Sequence, residues 1–116
     1  MQKKISVVIP TYNEEENVGP LSKAITDILE QQLSEYDYEI IFIDNHSKDT
    51  TRVKLRKICE ENKKVKAIFN ARNFGQMRSP VHGLKQATGD CVIRMCADFQ
   101  DPVSMIVDLS LIHISA

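Results

Sequence analysis

Four short apolar runs rich in β-branched residues recur along the chain, and each is followed by a polar turn and a stretch suited to a helix. The runs read "ISVVIP" (5–10), "YEIIFID" (38–44), "VKAIFNA" (65–71) and "CVIRMCA" (91–97). Apolar strands joined by helix-length segments pair in parallel and are buried on both faces. The alternation therefore predicts an α/β fold, with a Rossmann-like, mostly parallel sheet covered by helices on both faces.

The segments between the runs have the spacing of amphipathic helices. The first helix is predicted to begin at an Asn13 N-cap, with Glu16 completing a capping box, and the second to begin at a Ser47 cap and end near Asn62. The predicted packing residues are Val18, Leu21, Ile25, Ile28 and Leu29 in the first helix, Val53, Leu55, Ile58 and Cys59 in the second, and Val81, Leu84 and Ala87 in the third.

Length, charge and cysteine content narrow the class of protein. The chain has 116 residues, enough for one domain or a piece of one, and its formal net charge of −1 argues against nucleic-acid binding. No apolar run approaches the roughly 20 residues that cross a bilayer. The three cysteines include no CxxC pair, which argues against a disulfide scaffold or structural zinc and favours the cytoplasm. Cys91 and Cys96 are expected to be buried as small apolar residues.

Polar clusters follow each apolar run, at 11–14, 44–47, 72–76 and 98–101. Ligands of parallel α/β sheets bind at the carboxyl ends of the strands, so the four clusters are expected to converge on one edge. Turn polarity alone would also place polar residues there, and that alternative stays open.

The first two clusters contain groups that suit a nucleotide, although the chain has neither a GxGxxG nor a P-loop signature. Pro10 and Tyr12 can frame a flat ring, Glu14 offers an acceptor, and Asp44 can accept from the N–H edge of a base. The alternatives are that Asn13 and Glu14 only start a helix and that Asp44 only caps its turn.

The last two clusters suit phosphate and a hard cation. Arg72 brings a fixed charge for phosphate or for a surface ion pair. Asp98, Gln100 and Asp101 are oxygen donors of the kind that Mg²⁺ or Mn²⁺ prefers beside a diphosphate. Acids in front of Pro102 are equally typical of a helix N-terminus.

Four segments, in order and at the expected spacing, resemble the inverting family 2 glycosyltransferases of GT-A fold: "ISVVIPTYNEEENV", "IIFIDNHSKDTT", "NARNFGQ" and "GLKQATGDCVIRMCADFQDP". The resemblance is greatest to enzymes that move a sugar from a nucleotide diphosphate to polyprenyl phosphate, a group that includes dolichyl-phosphate mannosyltransferases and bactoprenol glucosyltransferases. It implies a UDP- or GDP-sugar donor, a polyprenyl-phosphate or glycan acceptor, and action in the cytoplasm or at the cytoplasmic face of a membrane.

Carried over position by position, the resemblance also implies functional residues. Those expected to bind the nucleotide are Pro10, Thr11, Tyr12, Glu14, Asp44, Arg72 and Asp98. Asp98 and Gln100 match the ligands of the family's Mg²⁺ or Mn²⁺.

Two positions depart from the family pattern. The turn that usually reads Asp-Asp-Gly-Ser is Asp44-Asn45-His46-Ser47, so a charge is lost and a histidine replaces a glycine that permits positive φ. The first Asp of the Asp-x-Asp metal motif is Cys96, which leaves Asp98 and Gln100 to hold the cation. The departure at Asn45 and His46 bears on the choice of base or sugar, and the departure at Cys96 bears on the cation site.

The resemblance implies that residues 1–116 are the donor-binding half of a GT-A domain. The general base, the acceptor site and any membrane segments are expected beyond the C-terminus, and residues 108–116 are interpreted as an artefactual tail, with a natural short variant as the alternative. This chain is expected to bind nucleotide weakly and to transfer little sugar. The alternatives are a nucleotide-sugar-binding module without catalysis, an α/β interaction domain, and a transferase acting on a polysaccharide.

Overall fold

The computed structural model of the protein describes residues 3–70 and 88–95. These residues form four strands and two helices. The elements are β1 (Lys4–Thr11), α1 (Val18–Gln32), β2 (Asp37–Asp44), α2 (Thr51–Glu61), β3 (Val65–Phe69) and β4 (Cys91–Arg94). All strand pairings are parallel, and the strand order is β3-β2-β1-β4. The predicted parallel α/β sheet is confirmed, although β3 and β4 end earlier than the apolar runs.

One face of the sheet packs against both described helices. Side chains alternate along a strand, so Ile5, Val7 and Ile9 of β1 share this face with Ile40 and Phe42 of β2, and all five are fully buried. The helix residues buried on the same core are Val18, Leu21, Ile25 and Leu29 of α1 and Leu55 of α2. Ile28, Ile58 and Cys59 pack at its margin, so the predicted helical faces are confirmed except for Val53, which is 64% exposed.

The opposite face is also buried, around Val8, Ile41 and Ile43. The helices predicted around residues 81–87 and after Pro102 lie outside the described residues, as does Cys96, while Cys91 is buried as expected. Neither helix in the described ranges is long and apolar enough to cross a membrane.

Both predicted helix starts were wrong. The cap residue of α1 is Asn17 and that of α2 is Thr50. Asn13 adopts a left-handed conformation, with φ of 52°, and Ser47 binds Asp44 through its N–H at 3.0 Å. The polar residues directly after β1 and β2 bind the neighbouring loop or strand end, and each helix therefore begins about one turn later.

A buried carboxylate that the sequence analysis did not single out lies on the second face. Glu39 of β2 is 1% exposed, and it accepts hydrogen bonds from Ser6 Oγ at 2.5 Å, Lys66 Nζ at 2.9 Å and the Thr88 N–H at 2.7 Å. Burial raises the pKa of Glu39, but these hydrogen bonds outweigh burial and lower the pKa to about 2. Glu39 thereby fastens residues 88–90 to the centre of the sheet.

Candidate nucleotide site

The carboxyl edge of the sheet brings together the ends of β1, β2 and β3. Thr11 lies beside Asp44 in the β1–β2 register, and Asp44 lies beside Phe69 in the β2–β3 register. The strand order reverses at β1, because β2 and β3 lie on one side of it and β4 on the other. Such a reversal opens a crevice outside the strand ends, which is where ligands bind in open α/β sheets.

Asp44 is a fully enclosed polar residue at this edge, with no exposed surface. Its Oδ1 accepts from Thr11 Oγ1 at 3.3 Å and from Ser47 Oγ, and its Oδ2 accepts from the Ser47 N–H at 3.0 Å. Arg52 places Nε 3.2 Å from Oδ2 as an ion pair. Asp44 therefore does cap its turn, as one interpretation of the sequence held, and the same contacts fix its carboxylate in place.

The loops after β1 and β2 are joined by hydrogen bonds, which we call the inter-loop network (residues 13–15 with 47–51). The Asn13 N–H donates to Ser47 Oγ at 2.9 Å, and Asn13 Oδ1 accepts from the Lys48 N–H at 2.8 Å. The Glu14 N–H donates to Thr51 Oγ1 at 2.9 Å. The network holds the two loops as one rim above the strand ends.

Glu15 carries a second part of the inter-loop network. Its carboxylate accepts from the N–H and the hydroxyl of Thr50, and these bonds, the hydroxyl bond above all, lower the pKa of Glu15. Its carbonyl accepts from Lys54 Nζ at 2.7 Å. Burial raises the pKa of Asp49, but hydrogen bonds led by that from Thr51 outweigh it, so this pKa is also lowered. The carboxylates of Glu15 and Asp49 are therefore both hydrogen-bonded within the rim.

Two residues of the rim have positive φ, namely Asn13 at 52° and His46 at 62°. Asparagine and histidine both adopt this conformation more often than most non-glycine residues, although any side chain costs energy in it. His46 stands where the family pattern has a glycine, and its side chain is exposed. The backbone at this position has positive φ, which a glycine would adopt without that cost.

The residues expected to bind a nucleotide divide into two groups. Pro10, Thr11, Tyr12, Glu14 and Asp44 lie together at the carboxyl edge. Tyr12 is 40% exposed, whereas Glu14 is half-buried and its carboxylate accepts from Asn17 Nδ2 at 2.8 Å. Arg72, Asp98 and Gln100 lie outside the described residues. In the ranges 3–70 and 88–95, no group of three or more His, Cys, Asp or Glu residues could hold a metal ion.

Three polar contacts at this edge were missed by the sequence analysis. Asn70 Nδ2 donates to Asn45 Oδ1 at 3.0 Å, and both residues are buried. Arg52 pairs with Asp44 and stacks on Phe69, its Cζ lying 4.8 Å from the ring centroid. The only available signal for Arg52 was a basic residue in the first turn of the helix that follows Asp44, which does not identify a partner.

The arrangement combines a fixed carboxylate acceptor with an exposed aromatic ring at one crevice. A planar heterocycle with an N–H edge offers the complementary groups, a face for stacking and a donor for the carboxylate. Pro10, at the end of β1, adds a rigid apolar surface beside them.

Comparison with known proteins gives consistent results. Residues 6–109 match the family model described as glycosyl transferase family 2. A prophage bactoprenol glucosyl transferase homolog of Escherichia coli K12 is 36% identical over 106 residues, which cover 91% of this chain and 34% of the relative. The chain thus spans about a third of the length of the curated relatives it matches.

Solved structures also resemble the fold. A mannosyltransferase from Pyrobaculum calidifontis, in complex with GDP-Man and Mn²⁺, superposes with a TM-score of 0.74 at 20% identity, over 100% of this chain and 33% of that one. TarS from S. aureus, in complex with UDP-GlcNAc, gives a TM-score of 0.69 at 28% identity, over 82% of this chain and 26% of that one.

Proposed function

Because this chain belongs to glycosyl transferase family 2, we propose that it forms the donor-binding part of an inverting glycosyltransferase. The donor is a sugar linked to UDP or GDP, and the acceptor is polyprenyl phosphate. The nucleotide lies at the carboxyl edge of the sheet, where Tyr12 stacks on the base and Asp44 accepts from its N–H edge. Pro10, Thr11 and Glu14 line the base and ribose.

The observation that carries this proposal is the position of Asp44. Its carboxylate is bound by Thr11 at the end of the neighbouring strand, beside the point where the strand order reverses. A similar protein, TarS, has been solved with UDP-GlcNAc, which supports a nucleotide-sugar donor. The similarity to the Escherichia coli relative, a prophage bactoprenol glucosyl transferase homolog, supports a polyprenyl acceptor.

A divalent cation, Mg²⁺ or Mn²⁺, is proposed at Asp98 and Gln100, with Arg72 near the diphosphate. The carboxylate and amide oxygens of Asp98 and Gln100 fit a hard cation. When bound, the cation would neutralise charge on the departing nucleoside diphosphate. Asp44 and the rim then have the separate task of holding the base.

A second candidate is nucleotide-sugar binding without transfer by these 116 residues. It is favoured by Asn45 and Cys96, which stand where the family pattern has acids. A polysaccharide acceptor is the alternative to polyprenyl phosphate. Incubation with a labelled donor and either acceptor distinguishes these cases by whether label reaches the lipid, the glycan or neither. The anomeric configuration of any product tests inversion.

Donor binding is tested first by calorimetric titration of the 116-residue chain with UDP and GDP, with and without Mn²⁺. We expect saturable, Mn²⁺-dependent binding of one nucleotide, lost in Asp98→Ala. Asp27→Ala is the matched control, because Asp27 is an exposed carboxylate on α1. Absence of binding to both nucleotides would refute the proposal for this chain, and equal binding by Asp98→Ala would refute the cation site.

A further inference from the structure

We propose that Arg52 is a positioning residue for recognition of the donor base, acting through Asp44. This inference rests on the proposed function, since it concerns the same nucleotide site. Arg52 supplies a positive charge that pairs with the buried carboxylate while leaving that carboxylate able to accept from a base N–H.

The ion pair between Arg52 and Asp44 has a geometry that separates charge pairing from hydrogen bonding. Arg52 Nε lies 3.2 Å from Asp44 Oδ2 and is itself buried. It nevertheless has no aligned hydrogen-bond partner within residues 3–70 and 88–95. The contact is therefore a charge pairing and does not use a lone pair of the carboxylate in a directed hydrogen bond.

The carboxylate of Asp44 does not use all of its hydrogen-bond acceptor positions. A carboxylate offers about four lone-pair positions. Oδ1 receives two donors, the hydroxyls of Thr11 and Ser47, whereas Oδ2 receives one, the Ser47 N–H. One acceptor position on Oδ2 is thus left without an aligned donor in the described part of the chain, and it lies on the oxygen that faces Arg52. Because the Asp44 side chain has no exposed surface, a base N–H reaches this position only when a neighbouring side chain moves aside.

Packing holds the guanidinium in place. The Cζ atom of Arg52 lies 4.8 Å from the centroid of the Phe69 ring, and Phe69 is the register neighbour of Asp44 on β3. A planar guanidinium stacks on a ring while presenting a donor edge sideways, which a lysine ammonium does not do. Arg52 therefore spans the ends of β2 and β3 from the first turn of α2.

The ligand's own charge explains why such a residue is needed. A nucleoside diphosphate is an anion, and a buried carboxylate without a cation would repel it in a low-dielectric site. The positive charge of Arg52 balances the negative charge of Asp44, and the carboxylate of Asp44 remains a hydrogen-bond acceptor. The base is then recognised without an electrostatic penalty on the diphosphate.

The test compares Arg52→Met with Arg56→Met. Arg56 lies over the same Phe69 ring, its Cζ 5.0 Å from the centroid, but it is exposed, and within residues 3–70 and 88–95 it forms no ion pair with Asp44. Two ligands are titrated with Mn²⁺: the nucleoside diphosphate that the unaltered chain binds, and inorganic pyrophosphate. We expect Arg52→Met to weaken nucleotide binding about tenfold or more and to leave pyrophosphate binding within about twofold, while Arg56→Met changes neither.

Other outcomes overturn the inference. Equal weakening of nucleotide and pyrophosphate by Arg52→Met would indicate a general structural role or a direct phosphate contact, and unchanged nucleotide binding would exclude any role. If Arg52→Met does not fold, Arg52→Lys keeps the charge without the stack, and wild-type nucleotide affinity in that variant would overturn the inference. An unaltered chain that binds pyrophosphate but no nucleotide would refute the proposed function itself, and the inference with it.

Discussion

The N–H of Asn13 donates to Oγ of Ser47 at 2.9 Å, and the hydroxyl of Ser47 in turn donates to Asp44. One serine thus connects the loop after β1, the loop after β2 and the buried carboxylate at the strand ends. The rim of the candidate site is therefore held together by hydrogen bonds between loops that are more than 30 positions apart in the sequence.

Replacing Ser47 with alanine should destabilise the protein by about 1–3 kcal/mol, because it removes a hydrogen-bond partner from the Asn13 N–H and from the buried carboxylate of Asp44. The free energy of unfolding in urea measures the effect. Ser34→Ala is the control, since Ser34 is exposed after α1, and it should change stability by less than about 0.5 kcal/mol. Similar losses in both variants would contradict the role given to Ser47.

His46→Gly should relieve the strain of the left-handed backbone at φ of 62°. Lys48→Gly is the matched control, because Lys48 is exposed in the same loop and is not among the described non-glycine residues with positive φ. Both substitutions loosen the unfolded chain equally, so the difference between their unfolding free energies isolates the strain. We expect His46→Gly to be more stable than Lys48→Gly by about 1 kcal/mol. No difference would show that the strain is absent in solution.

Glu39 should make stability fall in acid. Its folded pKa of about 2 lies below the ordinary glutamate value of 4.5, so its stabilising contribution is complete above the unfolded pKa and is lost as the pH falls from about 5 towards 2. At neutral pH this contribution is of the order of 3 kcal/mol. The free energy of unfolding, measured at several pH values, should fall less steeply with acid for Glu39→Gln than for the wild type. The exposed Glu16→Gln variant should keep the wild-type slope.

Gly89→Ala should be strongly destabilising. A Cβ at position 89 would lie 2.5 Å from Ser6 Oγ and 2.9 Å from the carbonyl oxygen of Lys4, where the chain approaches the β1 backbone. We expect a loss of about 1–3 kcal/mol. Gly19→Ala is the milder case: apart from its chain neighbours and the backbone of its own helix, a Cβ there meets no atom within 4 Å. Pro20 follows directly and disfavours helical backbone at a residue with a Cβ, so we expect a change of less than about 1 kcal/mol. The melting temperature of each variant is compared with that of the wild type. An unchanged melting temperature for Gly89→Ala would rule out this close approach.

Tyr12→Ala should weaken binding of the donor nucleotide without affecting the fold, because the side chain is 40% exposed. Loss of aromatic stacking on a base is worth about 1–3 kcal/mol, or roughly 5- to 100-fold in affinity. Tyr12→Phe retains the ring and should bind within about twofold. Calorimetry with the preferred nucleotide gives both values. If Tyr12→Ala binds the nucleotide with wild-type affinity, Tyr12 does not stack on the base.

The sequence by itself determined the sheet. The apolar run ending in Pro10 and the run ending in Asp44 became adjacent parallel strands, because continuous apolar runs buried on both faces and helix-length connections leave few alternatives. The apolar positions of α1 were likewise predictable from helical periodicity, since Val18, Leu21 and Ile25 recur on one face. The polar clusters at the carboxyl edge followed from the same parallel topology.

Only the tertiary structure decided what the polar residues do. Asn13 and Ser47 are good helix caps by local chemistry, yet each found a partner in the other loop, and the sequence does not show which loops meet. Glu39 reads as an interruption of an apolar strand, but Ser6, Lys66 and Thr88 surround it. Hydrophobic periodicity is a local property that short segments encode, whereas a polar side chain is satisfied by whichever donor the completed fold brings within about 3 Å.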